Sequence, residues 1–548
     1  MPPRLILLLM QFLRQLRVVI CAVLLSGPYI ALGAWLWRTE HLSAVAAFAA
    51  AVLITWILIA SVARDWRRFV LWQFPLFLFT LAFAAYTLTY NNLPGHIIAA
   101  VLGTSSLDDV LGFFSIWMGQ RLALGFGLLA ALYIWAGMGV RSVRIFAGAS
   151  APLRWAILAG TGALVLVAGL HADSMIDGLA ADPVIGGVLF VTGPLRDVAV
   201  ALRGQEVVKL PYGATRRGGE EVHVLVIGES ARRDSWSAYG YSRPTTPYLD
   251  SIKGELTLLT HAVADANLTV FAVPMLLTGM APEHYDLSQV HGNLVDLATE
   301  AGYSTSWLMN QDVGVSTMVG VAAEHTVYPA SLARFFGGHT PLDGTLLPAF
   351  ARELARGGSP RFIGLHVIGS HWEYYLRYPP AFQRYGSARG LSVISMFMAN
   401  DQRVVDAYDN SVLYTDWFLQ QVIEEVRALH VPATVTYIAD HGEDLSKLDG
   451  VAGHGVSYYT PHEFNIPAFV WTNGAYRTAH PDKTAALRAN AGKEVRTHDM
   501  FYSLADIMGI HWPAASPSDS IASAEFAPDT RSKVIAGGEL VAQQSVPH

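Results

Sequence analysis

The sequence predicts a two-part protein, in which an α-helical membrane domain of five transmembrane helices is followed by an α/β domain with a mainly parallel, doubly wound sheet. Two observations predict the membrane part: 52% of the 548 residues are hydrophobic, and the mean hydropathy is +0.34, which is too apolar for an ordinary soluble domain. A third observation predicts the other part, because from residue 221 onward short apolar runs alternate with helical patterns.

Five apolar stretches in the first 171 residues are each close to the length that crosses a membrane. They are 18–37, 42–63, 69–90, 122–140 and 153–171, and about 20 residues span the hydrocarbon core as a helix. A single stretch of this kind could be a buried core helix, but five of them within 171 residues favour a membrane domain. The first is not a cleavable signal peptide, since it has full length and no small-residue cleavage site follows it.

Arginines in the connecting loops predict the orientation of these helices. They are concentrated before the first stretch, between the second and third, and between the fourth and fifth, whereas the alternate loops carry only Arg38 and Arg121. By the positive-inside rule the amino terminus therefore lies in the cytoplasm. Five crossings then place the chain after residue 171 on the outer side of the membrane.

The remaining boundaries follow from composition. Residues 1–171 form the membrane domain, and 172–219 form a linker in which 194–203 predicts a short amphipathic helix at the membrane surface. The α/β domain covers 220–512, and a tail rich in Ser, Ala and Pro covers 513–548, for which the sequence indicates no particular structure.

Charge and cysteine content limit the partners and the redox chemistry. The net charge is −7, the isoelectric point is about 6.2, and no long run of Lys or Arg occurs, so a nucleic-acid partner is not expected. Cys21 is the single cysteine of the chain, which makes an intrachain disulfide impossible.

Polar side chains follow two apolar strand patterns at the point where each ends. Asp440 and His441 come directly after 435–439, and Glu229 comes after 223–228. Because open α/β sheets bind ligands beyond the carboxyl ends of their strands, we expect these side chains to meet there. Carboxylate and imidazole ligands suit a divalent cation such as zinc. An isolated Asp-His pair would more often be a helix cap beside a surface histidine, but here a second strand repeats the pattern.

Thr269 lies in a polar turn that leads into an apolar segment with the character of a helix. A threonine at a helix amino terminus offers an oxygen nucleophile to a metal, and the free backbone N–H groups of the first turn can hold a phosphate.

Three histidines accompany these residues. His366 and His371 flank the end of the predicted strand 361–367, and His454 lies in a glycine-rich loop. Any one of them alone would more often be a structural histidine. Together, beside the predicted metal, they are candidates for phosphate contacts or for ligands of a second metal.

Several motifs, in this order along the chain, resemble those of the membrane-bound phosphoethanolamine transferases of Gram-negative bacteria, which belong to the alkaline phosphatase and sulfatase superfamily. The motifs are Gly228-Glu229-Ser230-Ala231-Arg232, Gly240-Tyr241-Ser242-Arg243-Pro244-Thr245-Thr246-Pro247, Thr269 five residues before Pro274, His366-Val367-Ile368-Gly369-Ser370-His371 and Asp440-His441-Gly442-Glu443. The resemblance covers roughly 220–512, and the membrane region agrees in layout more than in sequence.

The resemblance implies a sulfatase-type α/β domain in the periplasm, on a multi-pass protein of the bacterial inner membrane. It implies that Glu229, Thr269, Asp440 and His441 surround one tightly bound zinc ion, and it leaves a second ion open. Zinc lowers the pKa of an oxygen that it binds. Thr269 would then attack phosphatidylethanolamine, and phosphoethanolamine would pass through a covalent threonine ester to a glycan or lipopolysaccharide acceptor.

Other implied contacts are less closely matched. His371 and His454 match family positions at the substrate phosphate or a second metal, whereas the match of His366 is weaker. The loop 91–121 corresponds to one that contacts the lipid donor's head group; its candidate contacts are Thr104, Asp108 and Asp109, and a solvated turn is the alternative.

Alternative functions remain open. A phosphoglycerol transferase would use the same nucleophile and metal with phosphatidylglycerol as donor, and a membrane-tethered binding protein would keep the site without turnover. A true sulfatase is disfavoured, because its formylglycine is made from the Cys or Ser of a Cys/Ser-x-Pro-x-Arg pattern, and the segment 270–276 contains neither residue. The segment 301–360 contains no lysine and carries Asn310-Gln311, which resembles branches that modify core sugars or periplasmic glucans rather than lipid A.

Overall fold

The computed structural model forms two compact units, residues 1–197 and 198–548. The residues that it describes are 3–39, 42–63, 65–90, 125, 127–139, 160, 211–286, 290–311, 319, 321–327, 341–357, 360–387, 402–445, 453–454, 459–528, 533–536 and 539–542.

Long apolar helices make up the first unit. They are α1 (Pro3–Thr39), α2 (Leu42–Ala63), α3 (Trp66–Tyr90) and α4 (Gly127–Gly139). Among the described residues, one segment, Gln15–Arg38 of α1, is long and apolar enough to cross a membrane.

Several predicted segments of this region lie outside the described residues. Apart from residue 160, the stretch 153–171 lies outside the described residues, as do the loop 91–121 and the linker helix 194–203. The same holds for Thr104, Asp108 and Asp109. The arrangement of five spans therefore stays a prediction.

A seven-stranded sheet forms the centre of the second unit, in the order β3-β9-β8-β2-β7-β5-β6. Its strands are β2 (Val222–Gly228), β3 (Leu256–Leu258), β5 (Ser304–Met309), β6 (His325–Val327), β7 (Arg361–His366), β8 (Ala433–Ala439) and β9 (Ala468–Thr472). Strands β8, β2, β7, β5 and β6 are parallel. Every residue of β2, β7, β8 and β9 is buried, because helices cover both faces of such a sheet.

Strand β9 corrects the prediction that residues 465–471 continue the parallel alternation. It runs antiparallel to both neighbours, β8 and β3, so the sheet is mixed. A parallel pair needs a long crossover, usually a helix. Among the described residues between β8 and β9 the helical structure is one short 3-10 turn, Pro461–Glu463, which is consistent with an antiparallel return.

The described residues of this unit contain eight α-helices. They are α5 (Pro247–Ser251), α6 (Thr269–Thr278), α7 (Leu294–Glu300), α8 (Leu347–Ala355), α9 (Gln402–Arg427), α10 (Gly474–Ala479), α11 (Pro481–Asn490) and α12 (Asp499–Ile507). Helix α8 packs against α9, whereas α6 packs against α7 and α12. Helices α7, α8, α9 and α12 confirm the helical patterns predicted near 290–302, 343–356, 403–428 and 497–508.

Short strand pairs lie outside the central sheet. They are β1 (Thr215–Arg216) with β11 (Ile510–His511), β4 (His261–Val263) with β10 (Glu494–Arg496), and β12 (Lys533–Ala536) with β13 (Glu539–Ala542). The β12–β13 hairpin belongs to the tail for which the sequence indicated no structure, since two four-residue strands give too short a pattern.

Candidate metal centre and nucleophile

The carboxyl ends of three neighbouring parallel strands define the site. In β2, β7 and β8, Ile227 is paired with His366, and Gly228 is paired with Ala439. The residues that directly follow, including Glu229 and Asp440, therefore emerge at one edge of the sheet.

Ser230 holds both of these carboxylates. Its backbone N–H donates to Asp440 Oδ1 at 3.2 Å, and its hydroxyl donates to Glu229 Oε1 at 2.7 Å. Ser230 has a φ of +52°, which is uncommon for a residue with a side chain. Such backbone strain is found where the surrounding structure enforces it, and here one strained residue fixes two potential ligands.

His441 is oriented by its own loop. Its Nδ1 lies 2.8 Å from the carbonyl oxygen of Gly442, so Nδ1–H donates to that oxygen and Nε2 is directed into the site. His441 Nε2 lies 3.4 Å from Glu229 Oε1 and 3.5 Å from Asp440 Oδ2. This arrangement is typical of a metal-binding histidine, whose second nitrogen is held by a carbonyl or carboxylate.

The two carboxylates and the imidazole are fully buried and electrostatically coupled. Burial lowers the pKa of His441, but the negative charges of Asp440 and Glu229 outweigh it and raise that pKa to about 10. Burial and the nearby Glu229 raise the pKa of Asp440, whereas the hydrogen bond from His441 holds the pKa of Glu229 low. The cluster thus retains protons that a cation would displace.

Thr269 is the first residue of α6 and lies against this cluster. Its Oγ1 donates to Glu229 Oε2 at 3.1 Å and lies 3.3 Å from His441 Nε2. Because the first N–H groups of a helix have no acceptor within the helix, this end of α6 also favours an anion.

His454 approaches the same cluster from the glycine-rich loop. Its ring centroid lies 4.0 Å from that of His441, and its Nδ1 lies 3.1 Å from Glu443 Oε2. Ligand atoms of Glu229, His441 and His454 all lie within 4.8 Å of one another. Glu443 is buried, and burial raises its pKa to about 8. Glu443 is part of the sequence motif that begins at Asp440, but no role was predicted for it.

His371 and His366 occupy different environments. His371 is partly exposed, and its electrostatic interaction with Glu229 is among the causes that lower the pKa of that carboxylate. His366 is completely buried at the end of β7, and neither ring nitrogen has a hydrogen-bond partner among the described residues. Burial lowers its pKa to about 4, so His366 is neutral at physiological pH. Its predicted contact with substrate or a second metal stays a prediction.

Gln311 contacts Glu229 in a way that the sequence did not indicate. Its Nε2 donates to Glu229 Oε2 at 2.8 Å and to the carbonyl oxygen of Val367 at 3.2 Å. The carboxylate oxygen that accepts the Thr269 hydroxyl is therefore also fixed by an amide. In the sequence, the absence of a lysine after β5 was interpreted as a feature that selects the acceptor molecule. It did not indicate that Gln311 contacts Glu229.

Asp343 fixes the loop between β7 and His371. It accepts hydrogen bonds from the backbone N–H groups of Ile368 and Gly369 at 2.9 and 3.0 Å, and from Asn310 Nδ2 at 2.9 Å. Gly369 has a φ of +48°, and a Cβ there would lie 2.9 Å from the backbone N and O of Glu229. A glycine is therefore needed for this loop to pack against Glu229.

The donor set fits a zinc ion. Asp440 Oδ2 is buried and accepts no hydrogen bond from the described residues, its nearest charged partner being His441 Nε2 at 3.5 Å, although buried carboxylate oxygens are normally hydrogen-bonded. Nitrogen from histidine and oxygen from carboxylates are ligands that zinc prefers, and a catalytic site keeps one position for a nucleophile or substrate.

Comparisons with known proteins identify the family of the second unit. Residues 222–510 match the family model described as Sulfatase. Phosphoethanolamine transferase EptC of Escherichia coli K12 is 26% identical over 322 residues, which are 56% of this chain and 54% of that protein. The chain thus spans about half the length of the curated relatives it matches.

Two solved structures share the fold. The periplasmic domain of Escherichia coli EptC in complex with Zn has a TM-score of 0.53 at 23% identity, covering 62% of this chain and 98% of that one. The integral membrane lipooligosaccharide phosphoethanolamine transferase A of Neisseria meningitidis has a TM-score of 0.57 at 19% identity, covering 92% of this chain and 98% of that one.

Proposed function

This chain belongs to the sulfatase family, and from that premise we propose that it is a zinc-dependent phosphoethanolamine transferase that forms a covalent threonine intermediate. One observation carries the proposal: Thr269 Oγ1, at the amino end of α6, lies 3.1 Å from Glu229 Oε2 and 3.3 Å from His441 Nε2. A hydroxyl in this position is a nucleophile placed against a metal-binding cluster.

The relatives support the reaction type. The curated relative EptC is named a phosphoethanolamine transferase, and its periplasmic domain has been solved with zinc. We infer the same metal for this chain, held by Glu229, Thr269, Asp440 and His441, with His454 beside it. Bound zinc would act as a Lewis acid that favours the ionised form of a hydroxyl.

The first half-reaction follows from the placement of Thr269. Its Oγ1 attacks the phosphorus of phosphatidylethanolamine and loses its proton, while the bond from phosphorus to the glycerol oxygen breaks. The leaving glycerol oxygen takes up one proton in exchange, so that diacylglycerol departs and no net proton is gained or lost. Glu229 Oε2 orients the threonine hydroxyl before the attack. In this proposal His371 and His454 neutralise the phosphoryl oxygens, and such stabilisation of developing charge is usually a large part of catalysis.

The second half-reaction uses the same groups in reverse. An acceptor oxygen attacks the phosphorus of the threonine ester, and Thr269 regains its proton as phosphoethanolamine departs. A hydroxyl or a phosphate of a cell-envelope glycan or lipopolysaccharide is the acceptor class that we propose. The net charge of −7 and the absence of a long basic run favour a sugar hydroxyl over a polyanionic acceptor.

The location follows from the same reasoning. We propose that the protein is a multi-pass protein of the bacterial inner membrane, with the second unit in the periplasm, where the acceptors are found. The apolar segment Gln15–Arg38 and the arginine asymmetry of the first 171 residues support this proposal.

A lipid-turnover assay tests the proposed function. The purified full-length protein, loaded with zinc, is incubated with fluorescent phosphatidylethanolamine or phosphatidylglycerol, and lipid products and modified peptides are identified by mass spectrometry. We expect diacylglycerol from phosphatidylethanolamine and an added phosphoethanolamine on Thr269, even without acceptor. Thr269→Ala should abolish both, since the residues act as one unit. Turnover of phosphatidylglycerol alone would favour the phosphoglycerol alternative, and turnover of neither lipid would contradict the proposed donor class.

A further inference from the structure

The C-terminal hairpin β12–β13 contacts the segment that carries the nucleophile. Ile535 of β12 forms a parallel β-bridge with Ala266, three residues before Thr269. The backbone N–H of Ile535 donates to the carbonyl oxygen of Asp265 at 2.8 Å, and the N–H of Asn267 donates to the carbonyl oxygen of Ile535 at 3.2 Å. The hairpin thus fixes the backbone directly before α6.

The side chain of Ile535 belongs to a buried hydrophobic cluster that includes the first turns of α6. It is 5% exposed, and the other buried members of the cluster are Ala266, Ala272 and Met275, all three fully buried. Ala272 lies one turn beyond Thr269, so the contact supports the helix end that bears the nucleophile. The cross-strand partner of Ile535 is Leu540, which is 44% exposed.

Other anchors hold both sides of this bridge. Arg496 forms an ion pair with Asp265 Oδ1 at 2.7 Å and donates to the carbonyl oxygen of Lys533 at 2.7 Å, so one guanidinium ties the hairpin to the nucleophile segment. Asn267 Nδ2 donates to Glu463 Oε2 at 2.8 Å.

We propose that Ile535 is a positioning residue for Thr269, acting through the bridge to Ala266 and the packing against Ala272. The inference rests on the proposed function for its catalytic consequence, but its structural part stands without it. A nucleophile displaced by about 1 Å can lose about 100-fold in rate, so a contact that fixes the amino end of α6 affects turnover without touching the substrate.

Hydrogen exchange measured by mass spectrometry tests the structural part in the full-length protein. Ile535→Ala should raise exchange in peptides covering 264–272 by about tenfold or more, as expected when a buried isoleucine is truncated. Peptides from β2 and β8 should be unchanged. Leu540→Ala, on the same hairpin but exposed, is the matched control and should exchange like the wild type. Unchanged exchange at 264–272 in Ile535→Ala would overturn the inference.

Steady-state kinetics tests the catalytic part. Ile535→Ala should lower kcat for diacylglycerol release by about 10- to 100-fold with the KM for phosphatidylethanolamine and the zinc content unchanged, and Ile535→Val should lie between it and the wild type. A loss of kcat that matches only a loss of folded protein, or an equal loss in Leu540→Ala, would overturn the positioning role.

The two measurements separate the possible failures. If the wild type turns over no phosphatidylethanolamine, the proposed function fails, and the exchange experiment still decides whether Ile535 holds the nucleophile segment. If Ile535→Ala folds poorly, Ile535→Val must show the same direction of change at 264–272, and its absence would count against the inference.

Discussion

Replacing Gln311 with alanine should weaken zinc binding more than it weakens the fold. Gln311 donates to Glu229 Oε2 at 2.8 Å, and Glu229 is 1% exposed, so water cannot readily replace the lost donor. A hydrogen bond to a charged group is worth about 1.5 to 3 kcal/mol. If this hydrogen bond holds Glu229 in the orientation that binds zinc, its loss should lower the zinc affinity by about 10- to 100-fold. That is the usual loss when a residue that holds a metal ligand is replaced.

A chelator-competition titration measures this effect directly. The dissociation constant for zinc is determined for the wild type, for Gln311→Ala and for Gln383→Ala. Gln383 is an exposed glutamine that donates to the carbonyl oxygen of Gly386 at 3.2 Å, so its loss removes an amide hydrogen bond whose acceptor is not a proposed ligand. A zinc affinity of Gln311→Ala within twofold of the wild type would show that Glu229 does not depend on this amide.

Three further outcomes are expected. Gly369→Ala should lower both the Tm and the zinc affinity, because a Cβ there meets the backbone of Glu229; Gly302→Ala, with a φ of +89° but open space, should show the smaller loss due to strain alone, and equal losses would contradict this reasoning. Burial would raise the pKa of Glu221, but hydrogen bonds from two histidines hold it at about 2. The ionised Glu221 therefore stabilises the fold above the unfolded pKa near 4.5, and this stabilisation is lost as the pH falls towards 2. The Tm of Glu221→Gln should therefore decline less than that of the wild type between pH 5 and pH 3. In a variant without Cys21, a cysteine at the exposed Ser251 should react with an impermeant reagent from the periplasmic side, and labelling only from the cytoplasm would contradict the proposed topology.

The features that the sequence predicted correctly are those with local causes. Strand β8 was recognisable from a β-branched run that ends at Asp440 and His441, and the parallel register then places Glu229 beside them. Helix α9 was recognisable from its length and periodicity. In each case a short stretch of chain carries its own pattern, and the geometry of a parallel sheet supplies the rest.

Features with non-local causes were missed. The direction of β9 depends on what connects it to β8, and the hairpin that carries Ile535 is held by residues more than 230 positions away, such as Asp265. Asp343 would be interpreted locally as a residue that starts a helical turn, since it begins a 3-10 helix. Its role in holding Ile368 and Gly369 appears only when β7 is placed next to β5.

The contacts around Glu229 explain why the proposed ligands are easier to select from the sequence than the groups that hold them. A ligand must be a carboxylate, an imidazole or a hydroxyl, so its chemistry is visible in one residue. A supporting residue needs only one donor at the correct distance: Ser230 supplies a hydroxyl, and Gln311 supplies an amide. Many residue types can meet that requirement, and polar residues are common in loops. Such supports are therefore identified by geometry alone, and their substitution should change metal affinity while leaving the sequence motif intact.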